Sequence, residues 1–561
     1  MALVYPNHYA VGMSSLGFQL VYALLNEQAG LVCERFFLPE KGEPLRSVES
    51  GRSLGDFPLL FFSLSFEHDY IHLVEILLAA GIEPYAADRS SAVGPDAPLI
   101  LCGGVATFIN PEPFAPFIDL IVIGEAEPVL PDLVDELAAG FAGLDRAALL
   151  AQACRRFPAC YAPLFHQPEY GEDGEFAGYR SLNPALPSRI TRSVLHHSST
   201  AGHSQLLTPL AEFSELYLTE LGRGCSRGCR FCAAGFVYRP PRLWDAEAVM
   251  LGLAERFADA SRVGLLGMEM ADSATLAQIA GYLQQSGCAL SFSSLRADRL
   301  SPSLLALLGD SKLKSVAIAP DGSSERLRRV INKGLTEQDL LTAAEQLVEA
   351  GIFKLKIYLM IGLPTETDAD LQEAIALIGK IKERIDPIGK ERGRLCEIQL
   401  SINCFVPKPW TPFQFHPFGQ SDRLAAGECG SARATVAELK RRLQVLHHGL
   451  RPLANVHLQH DKPEHVLFQA VLAKGDRRLA AVLIEMVTSG IPWAQAMKKC
   501  GLTAEQFAIC GYDEKMQLPW DIIDHGISSS YLWQEYERAF QEKLTSACDT
   551  AICRRCGVCH D

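Results

Sequence analysis

Three closely spaced cysteines carry the clearest chemical signal in this sequence. Cys225, Cys229 and Cys232 lie in the segment RGCSRGCRFCAAGF, separated by three and then two residues. Three thiolates on one short loop can hold three corners of a cubane iron–sulfur cluster, which leaves the fourth iron open to a ligand from outside the protein. The alternatives are a zinc site or three unrelated buried thiols. Zinc needs a fourth ligand, and neither His nor Cys occurs in roughly the next fifty residues.

A second group of cysteines lies near the C-terminus. Cys548, Cys553, Cys556 and Cys559 stand in CDTAICRRCGVCHD at spacings of four, two and two residues. Four thiols at these spacings make a closed site, either for zinc or for a fully ligated second iron–sulfur cluster. The sequence does not separate the two. We favour the cluster, because the first group already commits the chain to iron–sulfur assembly, and His560 is at best a spare ligand.

The elements that must position the first loop are alternating strands and helices over residues 211–420. ELYLTEL, just before the loop, is typical of a buried strand, and five more strand-like runs follow with helical stretches between them: RVGLLG, CALSFSSL, LKSVAIAP, FKLKIYLMIG and CEIQLSINCFV. Thr336 and Asp339 predict a capping box at one helix start, and Thr367 begins another. Six such units predict a partial TIM-type (β/α)6 barrel, whose chemistry lies at the carboxyl ends of its strands.

Short apolar runs also alternate with amphipathic stretches over residues 1–165. This pattern predicts an α/β domain with an open parallel sheet of the flavodoxin or Rossmann type. Ligands of such sheets bind at the carboxyl ends of the strands, and glycines there let the backbone approach a flat or phosphorylated ligand. The candidate loop residues at these ends are Met13, Ser65, Gly103, Gly104, Gly124 and Glu125.

The rest of the chain carries weaker signals. Residues 166–210 are typical of a hairpin followed by a polar linker, and residues 421–545 of a helical domain, before the cysteine tail of residues 546–561. The basic residues of the helical domain, Arg477 among them, could touch an anionic substrate, although a solvated helix face is the expected role.

The composition bounds the class of protein. Hydrophobic residues make up 48% of the 561 and charged residues 21%, as in a globular protein, and the net charge of -14 argues against a long nucleic-acid surface without excluding a local one. The sequence shows neither an apolar run of about eighteen residues nor a basic N-terminal flank, so we expect no membrane span and no signal peptide. Since seven of the 17 cysteines fall into two tight groups, we expect metal binding in the reducing cytoplasm, not a disulfide framework.

The spacing of the first cysteine group resembles that of the radical S-adenosylmethionine (SAM) superfamily, including the aromatic Phe231 before the third cysteine. Further pieces match in order: Gly267, Met268 and Glu269 where the superfamily often has Gly-Gly-Glu, then FSSLRAD, APDGSSERLRRVINKG, GLPTET and INCFVPKPWTPFQ. The resemblance implies a splayed barrel and a [4Fe–4S] cluster that cleaves SAM with one electron from a flavodoxin- or ferredoxin-like partner. The SAM contacts that it implies are Gly267, Glu269, Ser294, Arg296, Asp321 and Glu325.

The N-terminal part resembles the cobalamin-binding domain that precedes the radical core in many of these enzymes, through PNHYAVGMSSLGFQ, the CGG turn and the GEAEP turn. The resemblance implies that a corrin binds at the six candidate loop residues given above. The Asp-x-His-x-x-Gly loop that supplies an axial histidine is absent, and His68 stands in a different pattern, so we expect no histidine on the cobalt. The alternative is a degenerate sheet domain that only packs on the barrel.

The resemblance therefore implies a radical SAM enzyme that reductively cleaves SAM. The first hypothesis is a cobalamin-dependent methyltransferase that acts on an unactivated centre. A second is another radical reaction, such as a rearrangement or ring contraction, with a vestigial or non-methylating corrin domain. A third, ranked last, is an iron–sulfur electron-transfer scaffold, which would have no need of an open cluster corner. The substrate is not implied.

Overall fold

The N-terminal part of the chain folds into a six-stranded sheet with helices beside it. In the computed structural model, which describes residues 1–141, 143–267, 273–292, 295–311 and 313–559, the strand order is β2-β1-β3-β4-β5-β6. All of these strands are parallel except β6, which is antiparallel to β5. The strands are β1 (Ala2–Tyr5), β2 (Glu34–Phe37), β3 (Leu59–Ser63), β4 (Leu99–Gly103), β5 (Leu120–Val122) and β6 (Cys160–Tyr161), and the helices are α1 (Tyr9–Gly12), α2 (Leu16–Asn26), α3 (Asp69–Ala79), α4 (Leu130–Gly140) and α5 (Arg146–Arg156).

Three short strands connect this sheet to the next domain. β7 (His166–Tyr170) and β8 (Phe176–Ser181) pair antiparallel as a hairpin, and β9 (Ile190–Thr191) follows. An isolated bridge between Gly124 and Ser193 ties the connection back to the turn after β5.

Parallel strands and helices then alternate as the sequence predicts, apart from the short antiparallel pair β11 and β12. The strands are β10 (Leu216–Glu220), β11 (Gly222–Arg223), β12 (Arg242–Leu243), β13 (Arg262–Leu266), β14 (Ala289–Phe292), β15 (Val316–Gly322), β16 (Lys354–Ile361), β17 (Glu397–Cys404) and β18 (Val456–His460). The helices are α6 (Ala234–Val237), α7 (Ala246–Ala254), α8 (Ser273–Ser286), α9 (Pro302–Asp310), α10 (Glu325–Val330), α11 (Glu337–Glu349), α12 (Asp368–Glu391) and α13 (Ala432–Leu450).

Local sequence accounts for where these helices begin. The Thr336 hydroxyl accepts from the Asp339 backbone N–H at the start of α11, and the Asp339 carboxylate accepts from the Thr336 N–H, so the predicted capping box is present. The same exchange marks the start of α12 at Thr367 and Asp370. The buried residues of each helix are mostly apolar, and they belong to the same hydrophobic core as the barrel strands.

The barrel strands fall into two sheets, β10-β13-β14 and β15-β16-β17-β18, joined by a parallel bridge between Leu295 and Ile318. The predicted α/β fold class with a partial parallel barrel is thereby confirmed. The helical character predicted for residues 421–545 needs a correction at VHLQH, which forms β18 and pairs in parallel with β17 over five residues. This strand is short and half polar, and it lies between two helices, so its own pattern gave little strand signal.

The remaining C-terminal part is helical apart from one short strand. Its elements are α14 (Pro463–Lys474), α15 (Leu479–Ser489), α16 (Trp493–Lys499), β19 (Ile523–Asp524) and α17 (Ser529–Phe540). β19 pairs in parallel with β9, so the C-terminal part contacts the segment that connects the N-terminal sheet to the barrel. One hydrophobic core runs through the inner face of the N-terminal sheet, the barrel and these helices.

Two further findings bear on the expectations from composition. Cys429 and Cys510 form a disulfide, a pairing that the expectation of metal binding in a reducing compartment did not include. In the described part of the chain, no single helix is long and apolar enough to cross a membrane. The α15–α16 pair meets that test of length and composition jointly, with a bend of 119° between its two helices.

Candidate functional site

The loop with the first three cysteines leaves the carboxyl end of β10 and is fastened at both ends. Its root, β11, pairs antiparallel with β12, and α6 begins two residues after Cys232. In the middle of the loop, the fully buried Arg230 donates to the backbone oxygens of Arg329 and Val330 at 3.2 and 2.8 Å. Arg230 also pairs with Glu535 at 3.1 Å. The loop is thus bound to the segment after β15 and to α17.

Two cationic side chains from later loops act on Cys229, Arg296 after β14 and Lys333 after α10. Lys333 Nζ lies 2.6 Å from Asp321 Oδ2, and Arg296 donates to the Lys333 backbone oxygen at 3.1 Å. Burial lowers the pKa of Lys333, but the carboxylate of Asp321 and the thiol of Cys229 outweigh it, so the pKa stands above its ordinary value. The ammonium group at this site therefore stays charged at neutral pH.

The three thiols are chemically suited to a thiophilic metal. Burial raises the pKa of Cys229, against the effect of Lys333 and Arg296, and burial followed by the charge of Cys229 raises the pKa of Cys232 to about 12. A bound iron would supply the positive charge that such thiolates lack. The donors of the loop fit an iron–sulfur cluster because all three are thiols. They also lie near one another, since the charges of Cys229 and Cys225 both act on the pKa of Cys232. As they stand, no three or more His, Cys, Asp or Glu side chains among the described residues are grouped as a metal site.

The predicted SAM contacts divide into four sets. Arg296 and Asp321 lie beside Cys229, and Gly267 lies on a cleft described below. Glu325 instead accepts from the Glu337 backbone N–H at 2.8 Å, which fastens the start of α11. Glu269 and Ser294 lie outside the described residues, as does Met268. The roles of all of them remain predictions.

Two neighbours of Cys229 were not among the predicted residues. The backbone oxygen of Asn332 lies 3.8 Å from Cys229 Sγ, and its side-chain amide donates to the oxygens of Arg227 and Gly228 at 3.2 and 3.1 Å. Asn332 and Lys333 form the end of the segment APDGSSERLRRVINKG. Their position in the same segment as the predicted Asp321 was the signal that could have identified them.

A cleft of about 390 Å³ opens between the carboxyl ends of the strands of the N-terminal sheet and those of the barrel strands β10 and β13. Its N-terminal wall includes five of the predicted corrin contacts: Ser65, Gly103, Gly104, Gly124 and Glu125. Its other wall is formed at the carboxyl ends of β10 and β13. The residues there are Glu220, Gly222, Arg223, Leu266 and Gly267. Met13, the sixth predicted contact, lies elsewhere. It is 3% exposed and packs in the same hydrophobic cluster as Phe18 and Phe61 without lining the cleft itself, and its sulfur lies 3.0 Å from Arg35 Nη1.

Two glycines bring backbone segments of the cleft wall together. Gly104 and Gly124 both have a φ of +104°, which side-chain-bearing residues rarely adopt. A Cβ on Gly104 would lie 2.3 Å from the Leu64 oxygen, and a Cβ on Gly124 would lie 2.3 Å from the Ser193 oxygen. The close approach that these glycines permit is therefore between protein segments, in addition to the approach expected for a ligand.

An ion-pair network crosses the same cleft. Glu125, in the turn after β5, pairs with Arg242 at 2.7 Å, while Glu127 pairs with Arg223 at 2.7 Å. Arg223 also pairs with Glu220 at 3.1 Å. Burial raises the pKa of Glu127, but Arg223 outweighs it and holds the pKa below its ordinary value. The N-terminal sheet is thereby bound to the root of the cysteine loop, since Arg223 lies two residues before Cys225.

The C-terminal cysteine tail lies against the first cysteine loop. The Cys548 backbone N–H donates to the Ser226 oxygen at 2.7 Å, and the Thr545 N–H donates to Asn332 Oδ1 at 2.8 Å. Cys556 is anchored through its oxygen, which accepts from Ser528 N–H at 2.9 Å. One small cavity is lined by Ser226, Arg227 and Gly228 of the loop and by Cys548, Cys553 and Cys556 of the tail. His560 lies outside the described residues.

Comparisons with known proteins agree with this arrangement. The family model for the N-terminal part of radical SAM proteins matches residues 17–163, and the model for the radical SAM superfamily matches residues 219–378. Together the two matches cover more than half of the chain. The chain is also 26% identical over 489 residues to the uncharacterized protein MJ0966 of Methanocaldococcus jannaschii, covering 86% of this chain and 90% of that protein.

Among solved structures, the fold is similar to that of the radical S-adenosylmethionine methyltransferase TsrM from Kitasatospora setae, with tryptophan substrate and a SAM analog bound. The TM-score is 0.52 at 13% identity, over 89% of this chain and 98% of TsrM. A weaker likeness, with a TM-score of 0.46 at 14% identity, covers 96% of this chain and 79% of the cobalamin-dependent S-adenosylmethionine radical enzyme OxsB. Of these two likenesses, the one to TsrM is strong enough to bear on the fold.

Proposed function

This chain belongs to the radical SAM superfamily, and we propose that it is a cobalamin-dependent methyltransferase that acts on an unactivated carbon or phosphorus centre. The observation that carries the proposal is the cleft of about 390 Å³, because it opens on the strand ends of the N-terminal sheet and on those of the barrel. One cofactor held by the sheet and another held by the barrel can meet there. The fold likeness to TsrM, a methyltransferase, agrees with this reaction class.

The residues of the barrel would bind and orient SAM. Cys225, Cys229 and Cys232 would hold a [4Fe–4S] cluster, which when bound supplies the electron that breaks a carbon–sulfur bond of SAM. The guanidinium of Arg296 and the ammonium of Lys333 are suited to a carboxylate such as that of the methionyl part. Asp321, already beside Lys333, offers an acceptor for a hydroxyl or an ammonium group.

The residues of the sheet domain would bind the corrin. Gly104 and Gly124 shape the cleft wall, and Ser65 offers a hydroxyl at its edge. The cleft is lined by apolar side chains as well, including Phe18, Phe61 and Phe108, which would exclude water from the face of a flat macrocycle. We propose that cobalt receives no histidine from this protein.

The test is anaerobic reconstitution of the full-length protein with iron, sulfide and hydroxocobalamin, followed by dithionite and SAM. Release of 5′-deoxyadenosine is expected, together with S-adenosylhomocysteine and about one corrin retained per chain. Cys229→Ala is expected to abolish SAM cleavage, and Cys500→Ala, outside both cysteine groups, is the matched control.

The outcomes separate the hypotheses. If the protein releases 5′-deoxyadenosine but retains no corrin, the methyltransferase proposal is wrong and another radical reaction, such as a rearrangement, takes its place. If the loaded protein produces neither product from SAM, both enzyme hypotheses are wrong, and an electron-transfer scaffold remains.

A further inference from the structure

We infer that the C-terminal tail holds a second iron–sulfur cluster, ligated by Cys548, Cys553, Cys556 and Cys559, that relays electrons to the cluster of the first cysteine loop. The inference extends the proposed function, since it names the route by which the reducing electron reaches the site. It depends on the spacing of the four cysteines, on where the tail lies, and on the charges around its thiols.

The spacing favours an iron–sulfur cluster over zinc. Cys553, Cys556 and Cys559 repeat the C-x2-C-x2-C run by which short loops wrap a cubane, and Cys548 with Cys553 and Cys556 gives the C-x4-C-x2-C spacing of another cluster class. Structural zinc sites more often use two cysteine pairs separated by a longer segment. No long segment divides the four tail cysteines, because all of them lie within residues 548–559.

The position of the tail places it in contact with the first loop. The Cys548 backbone N–H donates to the backbone oxygen of Ser226, the residue after Cys225, at 2.7 Å. Asn332 joins the two segments, since its side-chain amide donates to the loop at Gly228 while its Oδ1 accepts from Thr545. Because electron transfer weakens steeply with distance, a metal centre at the tail is well situated to reduce one on the loop.

Positive charges surround the thiols of the tail. Arg555 Nε lies 3.3 Å from Cys553 Sγ, and the Arg239 guanidinium stands close enough to Cys556 to interact with its charge. A cluster with four thiolate ligands carries a net negative charge, and cations and hydrogen bonds at its sulfurs raise its reduction potential. These arginines would therefore help the tail centre to accept an electron from outside the protein.

The electrons balance as a simple relay. A reduced flavodoxin- or ferredoxin-class protein loses one electron to the tail centre, which passes it to the loop centre and returns to its oxidised state. The electron is consumed when one carbon–sulfur bond of SAM breaks, giving methionine and a 5′-deoxyadenosyl fragment. No proton is taken up or released in the relay itself.

The identity of the metal is tested on the full-length protein in which Cys225, Cys229 and Cys232 are all changed to Ala. After anaerobic purification, we expect about four iron and four sulfide per chain, against about eight of each in the wild type, and an electron paramagnetic resonance signal after dithionite reduction. About one zinc per chain without sulfide, or a tail without metal, would overturn the inference.

The relay is tested with Cys553→Ser, alone and with Cys556→Ser, and with Cys500→Ser as the control. Freeze-quench electron paramagnetic resonance follows reduction of the loop cluster by dithionite and by reduced flavodoxin or ferredoxin. We expect the tail variants to keep reduction by dithionite and to lose fast reduction by the protein donor. The relay is contradicted if the tail variants are slowed equally with both reductants, or if their rates are unchanged with both. It is also contradicted if neither protein donor reduces the loop cluster of the wild type.

These readouts do not depend on turnover. If the wild-type protein has both clusters loaded and reducible but does not cleave SAM, only the proposed function is contradicted. The iron content and the reduction rates decide the inference about the tail.

Discussion

Lys474 is a buried cation without a carboxylate partner in the described part of the chain. Its Nζ donates to the His416 backbone oxygen at 3.3 Å and lies 4.0 Å from the centre of the Tyr512 ring. The side chain is 1% exposed, and burial lowers the pKa of Lys474 to about 7. Near neutral pH, the folded protein therefore holds this ammonium at a cost in stability.

We predict that Lys474→Met stabilises the protein below about pH 7 by a few kcal/mol. Between pH 7 and the ordinary lysine pKa of about 10.4, the unfolded chain binds more protons at this residue than the folded chain does, so wild-type stability rises with pH there. The gain from Lys474→Met should shrink over that range. Urea denaturation at several pH values measures the gain in unfolding free energy, and Lys440→Met, at a half-exposed lysine, is the control. A gain that does not change with pH would contradict the lowered pKa of Lys474.

A second prediction at this scale concerns Gly104. Gly104→Ala would place a Cβ 2.3 Å from the Leu64 oxygen, whereas Gly81 has a φ of +67° with nothing within 4 Å of an added Cβ. We expect Gly81→Ala to cost about 1 kcal/mol of unfolding free energy and Gly104→Ala about 3 kcal/mol or more, because the backbone itself must move. Chemical denaturation compares the two, and equal costs would show that the wall of the cleft yields easily.

At the level of elements, Arg230 binds the cysteine loop, the segment after β15 and α17 to one another. It is fully buried, and Arg230→Met would leave Glu535, 6% exposed, without this partner. We predict a loss of about 3–5 kcal/mol in unfolding free energy. The control is Arg384→Met, which breaks an exposed pair with Glu345 and should cost about 0–1 kcal/mol.

Thermal denaturation and limited proteolysis measure the effect of Arg230→Met. We expect cleavage after residue 540 to become faster in this variant, because the Lys543 oxygen also accepts from Arg230 at 2.7 Å. Proteolysis unchanged from the Arg384→Met control would mean that the tail is held by other contacts.

The sequence predicted elements better than contacts between them. Buried runs such as ELYLTEL and FKLKIYLMIG gave the barrel strands, because each carries its own apolar pattern. The pairing of Arg230 with Glu535 joins residues 305 apart, and the Cys429–Cys510 disulfide joins residues 81 apart. Nothing in the local pattern of either partner specifies the other. Met13 shows the same limit, since it follows β1 as predicted but its side chain packs in a hydrophobic cluster and does not line the cleft.

Across the whole molecule, the N-terminal sheet domain is joined to the C-terminal helices as well as to the barrel. Glu112 pairs with Arg477 at 2.7 Å, and the Asn110 amide donates to the oxygens of Ala473 and Gly475 at 3.1 and 2.8 Å. The Glu112 side chain is 1% exposed. The predicted boundary at residue 165 therefore separates elements that share buried polar contacts.

We predict that the sheet domain and the barrel unfold together. All five tryptophans lie after residue 243, so their fluorescence reports only the later domains, whereas far-ultraviolet circular dichroism reports the whole chain. The two urea transitions should coincide in the wild type. Arg477→Met, which leaves the buried Glu112 with the Tyr161 hydroxyl but without its cation, should separate them and cost about 3–5 kcal/mol. The more exposed Lys499→Met should not. Separate transitions in the wild type would mean that the domains are independent.

The contact between Asn332 and Thr545 has a consequence for how the protein is made. A ribosome releases the cysteine loop long before it has synthesised residue 545, and until then the loop lacks the segment that lies against it. Iron–sulfur insertion into the nascent chain would therefore meet the loop without this contact, whereas insertion into the finished chain would meet it with the tail in place. The order of synthesis makes the first cysteine loop available before the tail lies against it.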